Sequence, residues 1–168
     1  MLFLSGGNAY TGSTIINTGI IQIASASPIS IIPDRSSVVL ANTAGVVLDL
    51  NGNSETLGSL SGGGSNGGNV LLTGTGALTL GLDNADAVFS GTITGGSTGG
   101  LTKLGSGTQT LAGTTDFTGD VLIRSYGGKS GGGLILSGGA TLASSAKAVS
   151  YTHLRAHETV LDLVCRLL

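Results

Sequence analysis

No apolar run in this chain is longer than seven residues. The runs include TII at 14–16, IIQI at 20–23, SII at 30–32, VVLA at 38–41 and VVLDL at 46–50. They continue with TLGSL at 56–60, NVLLT at 69–73, ALTL at 77–80, AVFSGTI at 87–93 and LTKL at 101–104. TQTL at 108–111, VLIR at 121–124, LILS at 134–137 and ATLA at 140–143 complete the series. Each is rich in Val, Ile, Leu or Thr and is bounded by Gly, Ser, Asn or Thr, which is the pattern of short strands between turns. Several alternate: Leu78 and Leu80 fall on one face of a strand and Thr79 on the other.

A strand this short buries little by itself, so many must share one core. Two architectures do this, a sandwich of hairpins and a parallel solenoid of stacked coils. A sandwich favours longer strands and regular hairpin turns. Here Gly-rich excursions alternate with tight turns, as at 62–68, 95–100 and 131–133. Asn51-Gly52 predicts a turn with both residues at positive φ. Pro28 and Pro33 bracket the run at 30–32 and demote it to an edge or a turn. The expected fold is therefore all-β, a parallel β-helix with Gly/Ser/Thr-rich loops. At about 20–25 residues per coil it would have roughly six coils.

Composition closes off other classes. Gly fills 31 of 168 positions, which opposes a helical bundle. Seven Lys and Arg against nine Asp and Glu leave no basic surface for nucleic acid. Charged residues are only 10%, too few to keep a chain with this much aliphatic content expanded. No apolar run reaches the roughly 18 residues of a membrane-spanning helix. The N-terminal MLFLSGGNAY lacks the charge and the apolar stretch of a signal peptide, and its strand-like start predicts more chain upstream.

Residues 4–16, LSGGNAYTGSTII, align without gaps to 111–123, LAGTTDFTGDVLI. Tyr10 falls on Phe117, Gly12 on Gly119 and Ile16 on Ile123. The aromatic is expected to pack on a neighbouring coil, with the glycine making the bend. The longer segment GGLTKLGSGTQTLAGTTDFTGDVLI, 99–123, resembles the autotransporter-associated β-strand repeat of bacterial surface proteins, whose pattern is close to GGLTKxGxGTLTLSGxNTYTGxTxI. Gly99, Gly100, Leu101, Thr102, Lys103, Gly105, Gly107, Thr108, Thr110, Leu111, Gly113, Thr118 and Gly119 keep the pattern. Gln109 stands where Leu is usual, and Asp116-Phe117 where Thr-Tyr is usual. The stretch LDLNGNSETLGSLSG, 48–62, is similar to linkers between such repeats.

The resemblance implies a right-handed parallel β-helix, the passenger of a type V secretion system, carried by a C-terminal β-barrel translocator outside this chain. It further implies a cell-surface or secreted location at the bacterial outer membrane. Residues 1–148 form the passenger segment, with a partial repeat at 4–23 and a fuller one at 99–136. Residues 149–168 contain no Gly, hold His153, His157 and Cys165, and carry 4 of the 16 charged residues. The string SYTHLRAHET…DLVCRLL resembles an adapter read-through peptide, so this tail is expected to be non-native, unstructured or a short helix. The rival is a capping helix built on Leu154, Val160, Leu161, Val164 and Leu168.

Candidate chemistry is sparse. Gly128-Lys129-Ser130 has Ile123 where a phosphate-binding loop needs Gly. Asp83, Asn84 and Asp86 supply three oxygen-bearing side chains, short of the 6–8 ligands calcium takes. His153, His157 and Cys165 have metal-ligand character but no partner in the body. Asp116 and Asp120 flank one turn, while the other acids and bases are scattered singly, without the paired carboxylates of a glycosidase. The reading is a non-enzymatic structural stalk, with no catalytic, cofactor or metal residues and no small-molecule cofactor. Loops at 61–68 and 125–133 are expected to project. The alternative is an adhesin that binds glycans, host proteins or neighbouring cells through such loops, and a carbohydrate-active enzyme ranks below both.

Overall fold

The computed structural model describes residues 1–24, 30–95, 99–116, 118–127, 132–142 and 148–151. Among these every regular element is a strand: Leu2–Leu4 (β1), Thr14–Ile16 (β2), Ile20–Ile23 (β3), Val38–Leu40 (β4), Val47–Asp49 (β5) and Glu55–Leu57 (β6). There follow Leu60–Gly62 (β7), Asn69–Leu71 (β8), Leu78–Leu80 (β9), Ala87–Phe89 (β10), Ile93–Thr94 (β11) and Leu101–Lys103 (β12). The last are Gln109–Leu111 (β13), Thr115–Asp116 (β14), Val121–Arg124 (β15), Leu134–Leu136 (β16) and Ala148–Tyr151 (β17).

The strands form three sheets, ordered β1-β3-β5-β8-β11-β14, β2-β4-β7-β10-β13-β16 and β6-β9-β12-β15-β17. Each strand pairs with the strand one turn away, and every pairing is parallel. From β5 onward the chain visits the first, third and second sheet in turn, whereas β1 to β4 alternate between the first two, so the protein is a parallel β-solenoid that is three-sided from β6 on. Turn length varies with the corners: Leu2 lies opposite Ile21, 19 residues on, and Ile20 opposite Val47, 27 on. This range is wider than the 20–25 expected.

The core is a set of ladders running along the axis. In the second sheet Ile16, Leu40, Gly62, Phe89, Leu111 and Leu136 lie at successive levels. Phe89 is fully buried and its neighbour in the ladder is Gly62, so the largest side chain sits beside the one position without any. Ile21, Leu48, Val70, Ile93 and Thr115 do the same in the first sheet. Leu78 and Leu80 are buried with Thr79 facing outward, as their alternation requires.

The runs TLGSL and AVFSGTI each contain a corner and become two strands, β6 with β7 and β10 with β11. The run at 30–32 is not a strand, although Ile31 and Ile32 are fully buried. Asn51 (φ 50) and Gly52 (φ 78) make the expected turn. The boundary expected at 148/149 falls inside β17, which pairs with β15. Residues 152–168, with His153, His157 and Cys165, and Gly128-Lys129-Ser130 lie outside the described residues.

The two aligned repeat copies do not occupy equivalent positions. Leu4 lies in the first sheet and Leu111 in the second, while Ile16 lies in the second sheet and Ile123 in the third. The copies are offset by one side of the solenoid. Tyr10 is partly exposed, with its hydroxyl paired to Thr14 Oγ1 at 2.6 Å, and Phe117 lies outside the described residues.

Candidate functional site

The corners explain most of the glycine. At Gly99 an added Cβ would lie 1.6 Å from the carbonyl oxygen of Gly76, and at Gly119 1.7 Å from that of Gly99. Gly113 and Gly91 stack in the same manner at another corner, with 2.0 Å to the Gly91 oxygen and 1.9 Å to the Gly68 oxygen. Backbone lies directly on backbone there, and no side chain fits. Gly12, the counterpart of Gly119, has open space around it.

This packing also corrects the expectation of a projecting loop at 61–68. Gly63 lies against Gly91, and Gly67 against Thr43, so the loop is clamped to its neighbours. Gly64 and Gly67 close it as an antiparallel bridge, and only Ser65 and Asn66 at its tip are well exposed.

Three long polar side chains are buried among the aliphatic ladders. Glu55 is 3% exposed. Its Oε1 accepts from Ser30 Oγ at 2.6 Å and Ile32 N at 3.0 Å, and its Oε2 from Ile31 N at 3.2 Å. The carboxylate thus takes the place of a strand at the level where 30–32 fails to form one. Desolvation raises its pKa above the ordinary carboxylate value, and these hydrogen bonds only weaken the shift.

Lys103 is equally buried, and its Nζ donates to the carbonyl oxygens of Leu104 and Gly105 in the following corner. Burial pushes its pKa down, against the pull of Asp83 and Asp86. Gln109 is 2% exposed and reaches past the level of Ala87 to the backbone of Leu60.

The acidic cluster is occupied with stacking. Asp83 accepts from Ser59 Oγ and Ala85 N, Asn84 Oδ1 from Ser106 N, and Asp86 from Thr108 N. Asp116 lies in β14 and Asp120 just ahead of β15, on either side of a corner. Among the described residues, no three His, Cys, Asp or Glu side chains converge to hold a metal.

One open concavity remains, a groove of about 530 Å³ where the second sheet turns into the first. Its lining includes Gly67 and Gly113, with Ser65, Asn66, Ser90, Thr92 and Thr114 among the residues at its edges. Among the described residues, no charged side chain lines it. Sequence reasoning had no signal for it, because its residues come from four successive turns.

The passenger-associated-transport-repeat family matches residues 1–23 and 101–125. A protein of Brucella suis biovar 1 (strain 1330), described as Adhesin BmaC autotransporter, is 38% identical over 85 residues. That alignment covers 51% of this chain, and the chain spans 2% of the length of that relative. No solved structure matches. The repeat pattern read at 99–123 and its partial copy near the start are thus matched independently, on a parallel solenoid of the expected kind. Residues 1–23 and 101–125 carry passenger-associated repeats, and together with the similarity to an autotransporter adhesin they support reading this chain as a fragment of an autotransporter passenger, a class of protein secreted or displayed at the bacterial outer membrane.

Proposed function

We propose that this segment is a non-catalytic stalk of a surface-displayed autotransporter. The observation that carries this reading is where the buried polar groups go. Glu55, Lys103 and Gln109 all bind backbone, and Asp83, Asn84 and Asp86 bind corner groups. Lys103 holds its own corner and the others tie coils to one another, and none of them is arranged around a substrate. Stability in such an array is nearly a sum of coil and interface terms, so length is added without a new core. A translocator barrel in the parent protein is the matching partner.

The test is to pull the chain from its ends by single-molecule force spectroscopy. A stalk gives a stepwise, coil-by-coil record, and a single low-force rupture of the whole chain counts against it. Assays for glycan cleavage are expected to show no turnover.

A second reading, an adhesive surface, is favoured by the groove and by the description of the Brucella relative as an adhesin. Beads coated with the chain and offered to host and bacterial cells test it.

A further inference from the structure

We infer that the groove at the corner between the second and first sheets binds an uncharged polysaccharide strand lying along the solenoid axis. The inference rests on the adhesive reading above and assigns its site and ligand class.

The floor comes first. Gly113, which lines the groove, is stacked so closely on the backbone of the preceding turn that no side chain can rise there. The groove is therefore open because the backbone is packed, and it is preformed. A preformed site spares a weak ligand the cost of ordering the protein.

The edges carry the chemistry. The side chains of Ser65, Asn66, Ser90, Thr92 and Thr114 make no hydrogen bond among the described residues. The buried Ser36, Ser59 and Thr115 and the half-buried Ser30 differ in donating to neighbouring coils. Five solvent-open hydroxyl and amide groups, each able to donate and accept, line one concavity.

What the lining lacks narrows the ligand. With no Lys or Arg among the described residues that line it, the lining offers nothing to select uronate, sulfate or phosphate. With no large exposed apolar side chain there, a peptide finds no anchor.

The spacing fits a chain. The edge groups come from successive turns, and parallel strands stack about 4.8 Å apart. That is close to the length of one pyranose ring, so consecutive sugars meet consecutive turns. Without an aromatic platform each site is weak, and useful adhesion comes from many such turns along a long passenger.

The test is an amide-resolved NMR titration of the full chain with cellohexaose and mannohexaose, and with polygalacturonate as the anionic comparator. The expected result is saturable shifts at 64–67, 90–92 and 112–114 with a neutral oligosaccharide and weaker ones with the polyanion. The double variant S90A/T92V should bind about tenfold less tightly, with its core resonances unmoved. V88S, on the outer face of the second sheet, should bind as before. Shifts centred elsewhere, preference for polygalacturonate, or unchanged binding by S90A/T92V would overturn the site. If neutral oligosaccharides fail while coated beads still bind cells, the groove is wrong and the adhesive reading stands. If the beads bind no cells either, both fall.

Discussion

Gln109 hydrogen-bonds the backbone of Leu60 across an intervening turn. Its Nε2 donates to Leu60 O at 2.9 Å and its Oε1 accepts from Leu60 N at 3.2 Å. Between them lies β10, which pairs with β7 only through Phe89 and Gly62. Ala87 is small enough to let the amide pass, and the side chain completes a ladder that the longer turn leaves open. The position where the repeat usually has Leu is thus a polar plug in this chain.

Gln109→Leu should destabilise the chain by about 1–3 kcal/mol, because two buried backbone groups lose their partners. Urea denaturation followed by circular dichroism measures it. An unchanged midpoint would mean that Leu60 finds other partners.

Glu55 gives a pH dependence opposite to ordinary acid denaturation. Its folded pKa is raised above 4.5, so the folded state binds the proton more tightly than the unfolded one. Its contribution to stability is therefore full below pH 4.5 and falls as pH rises through the folded value. The urea midpoint should show this component as a gain on mild acidification, and Glu55→Gln should remove it. That variant should also lose about 1–3 kcal/mol near neutrality, since an amide nitrogen cannot accept from Ile31 or Ile32.

Gly99→Ala should cost about 3 kcal/mol or more, because its Cβ would meet the Gly76 carbonyl oxygen and push adjacent turns away from each other. Gly12→Ala, where nothing lies within 4 Å, should stay within about 0.5 kcal/mol of the parent. Thermal melts of the pair decide whether close approach or turn flexibility sets the glycine requirement. Equal losses would favour flexibility.

Phe89→Ala should cost about 3–5 kcal/mol. The ring fills the space beside Gly62 and reaches toward Gly91, so its loss leaves a cavity spanning a corner. Hydrogen exchange should rise first in β7 and β10, and uniform exchange across all three sheets would contradict this local role.

The sequence alone determined the class of fold. Runs of a few aliphatic residues cannot make separate cores, and their alternation at Leu78-Thr79-Leu80 fixed which side chains point inward. The strands at 14–16, 20–23 and 121–124 were legible to the residue. Asn51-Gly52 was legible too, because its φ preference is local. The repeat pattern at 99–123 was legible as well, and the passenger-associated repeat family matches most of it. Tertiary structure decided what depends on the neighbouring turn. The same glycine type is dispensable at Gly12 and obligatory at Gly119, since only one has a carbonyl beneath it. Glu55, Lys103 and Gln109 looked like scattered or aberrant residues, yet Glu55 and Gln109 complete backbone interactions in other turns and Lys103 caps the carbonyls of its own corner. The groove joins residues from four turns. Axial stacking sets all of these, and turns of 19 to 27 residues leave no fixed period from which to read them.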